Sequence, residues 1–172
     1  MDRSGIPLRL AAGALLIAAP TMLAAATPAR QSTAGAVVLR PLSLIKKKDL
    51  DFGTLITSAT AGTATLDPVT GAVTTTGGIT PTSAPSSAAV FIGAGSRNAP
   101  YQIRIPSSPI TLTRAGGTET MTVSNWTLDG ATNRKVDANE AFEFNIGAQL
   151  AVAANQVPGT YVGTFNVTVH YP

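Results

Sequence analysis

The closing stretch TYVGTFNVTVHY (160–171) decides the fold. Tyr161, Phe165, Val167, Val169 and Tyr171 fall on one side of an extended chain, with Gly163 among them. Val162, Thr164, Asn166, Thr168 and His170 fall on the other. Successive side chains leave a strand on opposite faces, so a period of two predicts one buried face and one wet face. An amphipathic helix would need apolar residues three and four apart, and no segment sustains that spacing. The five residues of the first set are therefore candidate core and edge-strand positions.

Upstream the pattern repeats. AFEFNIGAQLAV (141–152) puts Phe142, Phe144 and Ile146 on one face, and Gly147 is expected to break the alternation as a bulge or bend. ITLTRAGGTETMTV (110–123) predicts a hairpin around Gly116-Gly117, with Ile110 and Leu112 facing inward opposite Met121 and Val123. TATLDPVTGAVTT (63–75) predicts another. There Pro68 pre-sets the φ of a type I turn, and Gly71 can take the left-handed conformation that closes it. AAVFIGAG (88–95) and YQIRIP (101–106) read as two further strands, and TGGITPTSAPSS (76–87) as a surface loop. Eight to ten short strands separated by turns predict an all-β fold, a single antiparallel β-sandwich of immunoglobulin-like or pilin-like kind. An open barrel is the alternative.

The beginning of the chain has another character. Arg3 and Arg9 precede or flank the apolar run LAAGALLIAA (10–19), and small residues follow at Ala24-Ala25-Ala26. These are the parts of a signal peptide over 1–26, cut after Ala26 or, as second choice, after Ala29. The run is about half the ~20 residues a spanning helix needs, so no stable membrane anchor is expected. Residues 27–36 then form an N-terminal extension and 37–172 the sandwich domain.

Composition narrows the function classes. Loss of Arg3, Arg9 and Asp2 with the leader would leave 10 basic and 8 acidic side chains. Only Lys46-Lys47-Lys48 cluster, and they read as a solvated turn, so nucleic acid is not an expected partner. The chain has no cysteine, so in an oxidising compartment its stability must come from apolar burial and backbone pairing. At 12% charged residues, a Thr- and Ala-rich surface suits contact with copies of itself.

Catalytic groups are missing. His170 is the single histidine and alternates onto the polar face with Thr168 and Asn166, where no nucleophile is paired with it. One histidine and no cysteine cannot build a zinc or copper site. Asp49 and Asp51 share a face, but Leu50 and Phe52, alternating with them, read as core, with the carboxylates in water. Asp129, Asp137 and Glu140 do not follow a calcium-loop pattern. Asn125-Trp126-Thr127 and Asn166-Val167-Thr168 match the glycosylation acceptor, a pattern frequent by chance. We expect no enzyme activity, no cofactor and no metal.

Three segments carry a resemblance. LDFGTLI (50–56), PITLTRAGGTETMTVSNWTLDG (109–130) and VPGTYVGTFNVTVHY (157–171) resemble a bacterial family catalogued as domain of unknown function 4402, over most of residues 36–171. That family brings no activity with it. More distantly, the early LDFG-type strand and the final PGTY…VTVxY strand are similar to spore coat protein U and the archaic chaperone–usher pilin subunits. The likeness implies an incomplete sandwich whose apolar groove receives the N-terminal extension of the next subunit as an added strand. The donor would be Ser32–Leu39, with Gly35, Val37 and Leu39 alternating, and the acceptor edge Thr160–Tyr171. It implies copies of itself, other surface subunits and a periplasmic chaperone as partners. It also implies an exported protein in the periplasm, on the outer surface or outside a Gram-negative bacterium. For the fold itself, a sandwich complete in itself, with Val37–Leu39 in the domain's own first strand, is the favoured reading of the same residues. The alternative function is a secreted adhesin or glycan- or protein-binding module, with Trp126 and Tyr101 as its contacts.

Overall fold

The computed structural model describes residues 32–172; the expected signal peptide lies outside them, as does the first part of the extension, 27–31. The chain separates into two units between Ala36 and Val37, and all the strands of the described residues belong to the second, Val37–Pro172.

Thirteen strands run through the described residues. They are β1 (Ser43–Lys48), β2 (Leu55–Ile56), β3 (Gly62–Leu66), β4 (Val73–Gly77), β5 (Thr80–Pro81), β6 (Ala89–Ala94) and β7 (Pro100–Arg104). After these come β8 (Ile110–Arg114), β9 (Thr120–Leu128), β10 (Asn133–Lys135), β11 (Ala141–Val152), β12 (Tyr161–Val162) and β13 (Thr168–His170). All pairings are antiparallel. The main sheet has the order β1-β6-β11-β9-β8-β12, with β3 also beside β11 and β4 beside β3. A second layer is made of β10-β7-β13 and, separately, of β2-β5. The fold is an all-β antiparallel sandwich. It exceeds the expected eight to ten strands because several are fragments of two or three residues.

β11 is the spine. Phe142, Phe144, Ile146, Ala148, Leu150 and Val152 alternate inward without a break and are all buried. The expected interruption at Gly147 is therefore wrong in place. The extra residue sits on the facing strand, where register shifts between Gly147 and Gln149 of β11 and Asn125 of β9 takes φ 49°. Gly147 is required for a different reason: a Cβ there would lie 2.2 Å from the carbonyl oxygen of Leu66. Both hairpins form as the turn chemistry dictates. Asp67 Oδ1 accepts the amides of Val69 and Thr70 at 2.9 and 2.7 Å, and Gly71 has φ 70°. Gly116 has φ 74° at the tip of β8-β9.

Two core clusters result. Around the first half of β11, Phe91 stacks on Phe144 with centroids 5.5 Å apart, and Tyr101 on Phe142 at 4.4 Å. Ile103 of β7 and Val169 of β13 close that half from the second layer. Around the second half, Leu66, Val123, Leu150 and Val152 face Phe52 and Leu55. Leu50 and Trp126 touch both clusters.

Two local readings change. Lys46, Lys47 and Lys48 are not a turn; they lie on β1, an edge of the main sheet, where lysines deter pairing with foreign strands. The 76–87 loop is not wholly superficial, because it holds β5 and buries Ile79. A single apolar residue between Gly78 and Thr80 leaves no period to detect.

Candidate functional site

The two halves of the sandwich are covered unequally. Over β6 and the first half of β11 lie three paired strands, β10-β7-β13. Among the described residues, β8, β9 and the second half of β11 are flanked by the stretch 49–57, which includes β2, on one side and the segment 156–163 on the other. Between these flanks a groove of about 820 Å³ opens onto the inner face of the main sheet. Its floor is Ile110 and Leu112 of β8, Met121 and Val123 of β9, and Leu150 and Val152 of β11. Val123, Leu150 and Val152 are buried, whereas Ile110, Leu112 and Met121 stay half-buried, which marks the side where cover is missing.

Each wall is extended backbone held from behind. Leu55 and Ile56 pair with Pro81 and Thr80, and Asp51 exchanges both backbone hydrogen bonds with Ser87 at 2.8 Å. Gly53, at φ 71°, bends the wall between these anchors. The opposite wall is fixed by a polar clasp. Buried Gln156 donates from Nε2 to the Tyr161 hydroxyl at 2.7 Å, and that hydroxyl donates to the Val157 carbonyl at 2.7 Å. Gly163 lets this wall lie close over β8, since a Cβ there would be 2.7 Å from both Leu112 Cδ2 and the Thr111 oxygen. The groove is almost free of charge. Asp49 and Asp51 stand at its rim, exposed, Asp49 paired with Lys46 and Asp51 accepting the Gly53 amide. Such a site can take an extended, uncharged segment: apolar side chains into the floor, backbone against the walls.

The expected C-terminal strand is divided. Tyr161 and Val162 pair with β8 of the main sheet, Thr168 to His170 pair with β7 of the second layer, and 163–167 join no ladder. Both pieces are edges, at the ends of β1-β6-β11-β9-β8-β12 and of β10-β7-β13. Phe165, Val167 and Val169 pack on the first core cluster. Tyr161 and Phe165 line the groove. The Tyr171 hydroxyl accepts the Ser96 amide and donates to the Arg40 carbonyl, each at 2.8 Å. A chain crossing from one sheet to the other keeps its inward alternation while losing the ladder, which is why periodicity read it as one strand.

Gly35, Val37 and Leu39 lie in no strand. Val37 and Val38 are 88% and 92% exposed, Leu39 42%. The next residue is tethered. Arg40 donates its amide to Ser96 Oγ at 2.6 Å, accepts from Tyr171 through its carbonyl, and pairs its guanidinium with Glu140.

Of the two aromatic contacts expected for a glycan, Tyr101 is buried, with its phenol pKa pushed up by that burial. Trp126 is half-buried against Phe165, centroids 4.7 Å apart, and donates Nε1 to the Ser108 carbonyl at 3.2 Å. His170 lies on β13.

Reading the sequence missed the 49–57 wall and the Gln156 clasp. The signal was available in arithmetic of faces: four inward apolar residues on β8 and β9 have opposite them only the short LDFGTLI stretch.

A family model described as Domain of unknown function (DUF4402) matches residues 42–171. No curated protein and no solved structure matches the chain, so the likeness to spore coat protein U and the pilins rests on sequence alone.

Proposed function

This chain belongs to the DUF4402 family, and we propose that within it the protein is an exported structural subunit of a bacterial cell surface, whose copies assemble into a fibre by strand pairing. The observation that carries this reading is the apolar groove of about 820 Å³ that the described residues leave open over the second half of the main sheet. β-Augmentation fits such a groove: main-chain hydrogen bonds give affinity, and alternate side chains fill the floor.

The same chain supplies a matching strand. Val37 and Leu39 are separated by one residue and exposed, and they continue the alternation from Gly35. Reach favours another copy as acceptor. The root at Arg40 is bonded to Ser96 and Glu140, beside the first residues of β11, whereas the groove floor contains Leu150 and Val152 at its end. Nine residues of strand separate Ala141 from Leu150, about 30 Å, whereas Val37, the farther of the two exposed apolar residues, is three residues from the root and reaches at most about 11 Å from it. An arm at one end and a groove at the other is a head-to-tail arrangement, which propagates into an open filament when the rotation does not close. A subunit with an unfilled groove needs cover during export, which a periplasmic chaperone would give. The competing adhesin reading loses Tyr101 as a contact, since that side chain is buried.

The test uses protein expressed with its own leader and purified from the periplasm. Size-exclusion chromatography should give oligomers that become monomers on deletion of residues 27–39. The deleted form should bind a synthetic peptide of residues 32–39. A monomer in both forms, with no peptide binding, overturns the proposal.

A further inference from the structure

The outer face of the second half of the main sheet is a lattice of hydroxyls. Thr74 and Thr76 of β4 face Thr65 and Thr63 of β3, and the hydroxyls of Thr63 and Thr76 are 2.8 Å apart. Thr65 and Thr63 oppose Gln149 and Ala151 of β11, with Gln149 Nε2 donating to Thr65 Oγ1 at 3.1 Å. Gln149 and Ala151 oppose Ser124 and Thr122 of β9. Thr122 and Thr120 oppose Thr111 and Thr113 of β8. The pairings thus align one unbroken row across five strands, Thr76–Thr63–Ala151–Thr122–Thr111, with shorter rows on either side. No position of this lattice is ionisable. Charged residues lie off it, among them the β1 lysines with Glu143 of the first half of β11, the Arg40–Glu140 and Asp129–Arg134 pairs, Arg104 of β7 and the Arg114–Glu119 pair at a hairpin tip.

We propose that this threonine face is a contact surface for the same face of a second copy, joining neighbouring subunits side by side. Self-contact suits it on three grounds. A threonine hydroxyl both donates and accepts and its methyl packs, so two identical faces satisfy each other without complementary charge. Its lack of charge removes the like-charge repulsion that a charged patch would meet against its own copy. Its curvature also selects the partner. Strands twist by about 20–25° at each step, so a flat crystalline glycan could touch only a few of the five strands, whereas two equally twisted sheets pack face to face about 10 Å apart.

The area sets the strength. Five strands about 4.8 Å apart and rows about 7 Å apart give on the order of 400 Å², about half of what each partner buries in a stable interface. One pair of faces is therefore weak, and association appears when many are displayed together.

The test needs multivalent display but no fibre, and an excess of free peptide 32–39 is present to occupy the groove, so it stands whether or not the arm-and-groove reading holds. The full exported chain is coupled through its amino terminus to latex beads, and clustering is followed by turbidity. Wild-type beads should cluster, at a rate nearly unchanged between low and high salt, because the contact is uncharged. Thr76→Lys with Thr122→Lys, both exposed, should slow clustering at least tenfold with an unchanged melting temperature. Thr76→Ser with Thr122→Ser should keep it, as should Ser107→Lys with Ala138→Lys, which add the same charge off the face. Dispersed wild-type beads, clustering by the Thr-to-Lys beads, dissolution by salt, or capture by cellulose powder in place of clustering would each overturn the proposal.

Discussion

If the groove is open, removing apolar atoms from it should cost far less than removing them from the closed half. Phe144 is fully buried, stacked on Phe91 and 6.4 Å from Phe142. Phe144→Ala leaves a cavity in a packed site and should destabilise by about 3–5 kcal/mol. For a domain of this size that lowers the melting temperature by roughly 12–20 °C, at about 4 °C per kcal/mol. Leu112 lies on the groove floor and is only half-buried. Leu112→Ala removes three carbons worth about 0.8 kcal/mol each when buried, and about half that here, so the loss is ~1 kcal/mol. No cavity contribution is added, because the space beside Leu112 already admits water. Urea denaturation of the chain lacking residues 27–39 measures both, in a form with no arm to fill a groove. Comparable losses, with Leu112→Ala at 3 kcal/mol or more, would mean that the site is sealed in solution and would refute the reasoning.

Three further outcomes are expected. The Asp67 carboxyl is held below the usual carboxylate range by hydrogen bonds from the Thr70 amide and hydroxyl and the Val69 amide. Its contribution is present above the unfolded pKa of about 3.9 and is lost as pH falls through the lower folded value. Asp67→Asn should therefore flatten the acid side of a plot of urea midpoint against pH; an unchanged acid limb would contradict this. Gly163→Val should detach the wall over β8, since its Cβ would meet Leu112 and Thr111 at 2.7 Å; hydrogen exchange at Tyr161 and Val162 reads the loss, and unchanged protection would contradict it. Tyr171→Phe removes a donor and an acceptor that tie Arg40 and Ser96. It should cost about 1 kcal/mol and raise amide exchange at Ser96.

Much of the fold was legible because local physics decided it. Alternation in 141–152 and turn chemistry at Asp67–Gly71 and Gly116 require no knowledge of the rest of the chain. What escaped depends on distant partners. The bulge belongs to β9 at Asn125 and not to Gly147, because a bulge is a property of a pair of strands and a glycine marks only one way of making it. The C-terminal segment divides because β8 and β7 claim its two ends, while its side chains keep one period throughout. Lys46 to Lys48 are equally exposed in a turn and on an edge strand, so exposure could not tell the two apart. The groove was the least legible feature, since an absence of cover is written in no single segment.

The central claim is that the groove of one molecule receives the 32–39 stretch of another. The chain has no cysteine, so introduced thiols report without background. One population carries Val37→Cys and a second, distinguishable by mass, carries Met121→Cys on the groove floor. After mixing and mild oxidation, mass spectrometry should find a disulfide linking the two populations. A Val37→Cys dimer alone, or no mixed disulfide at all, would contradict the account.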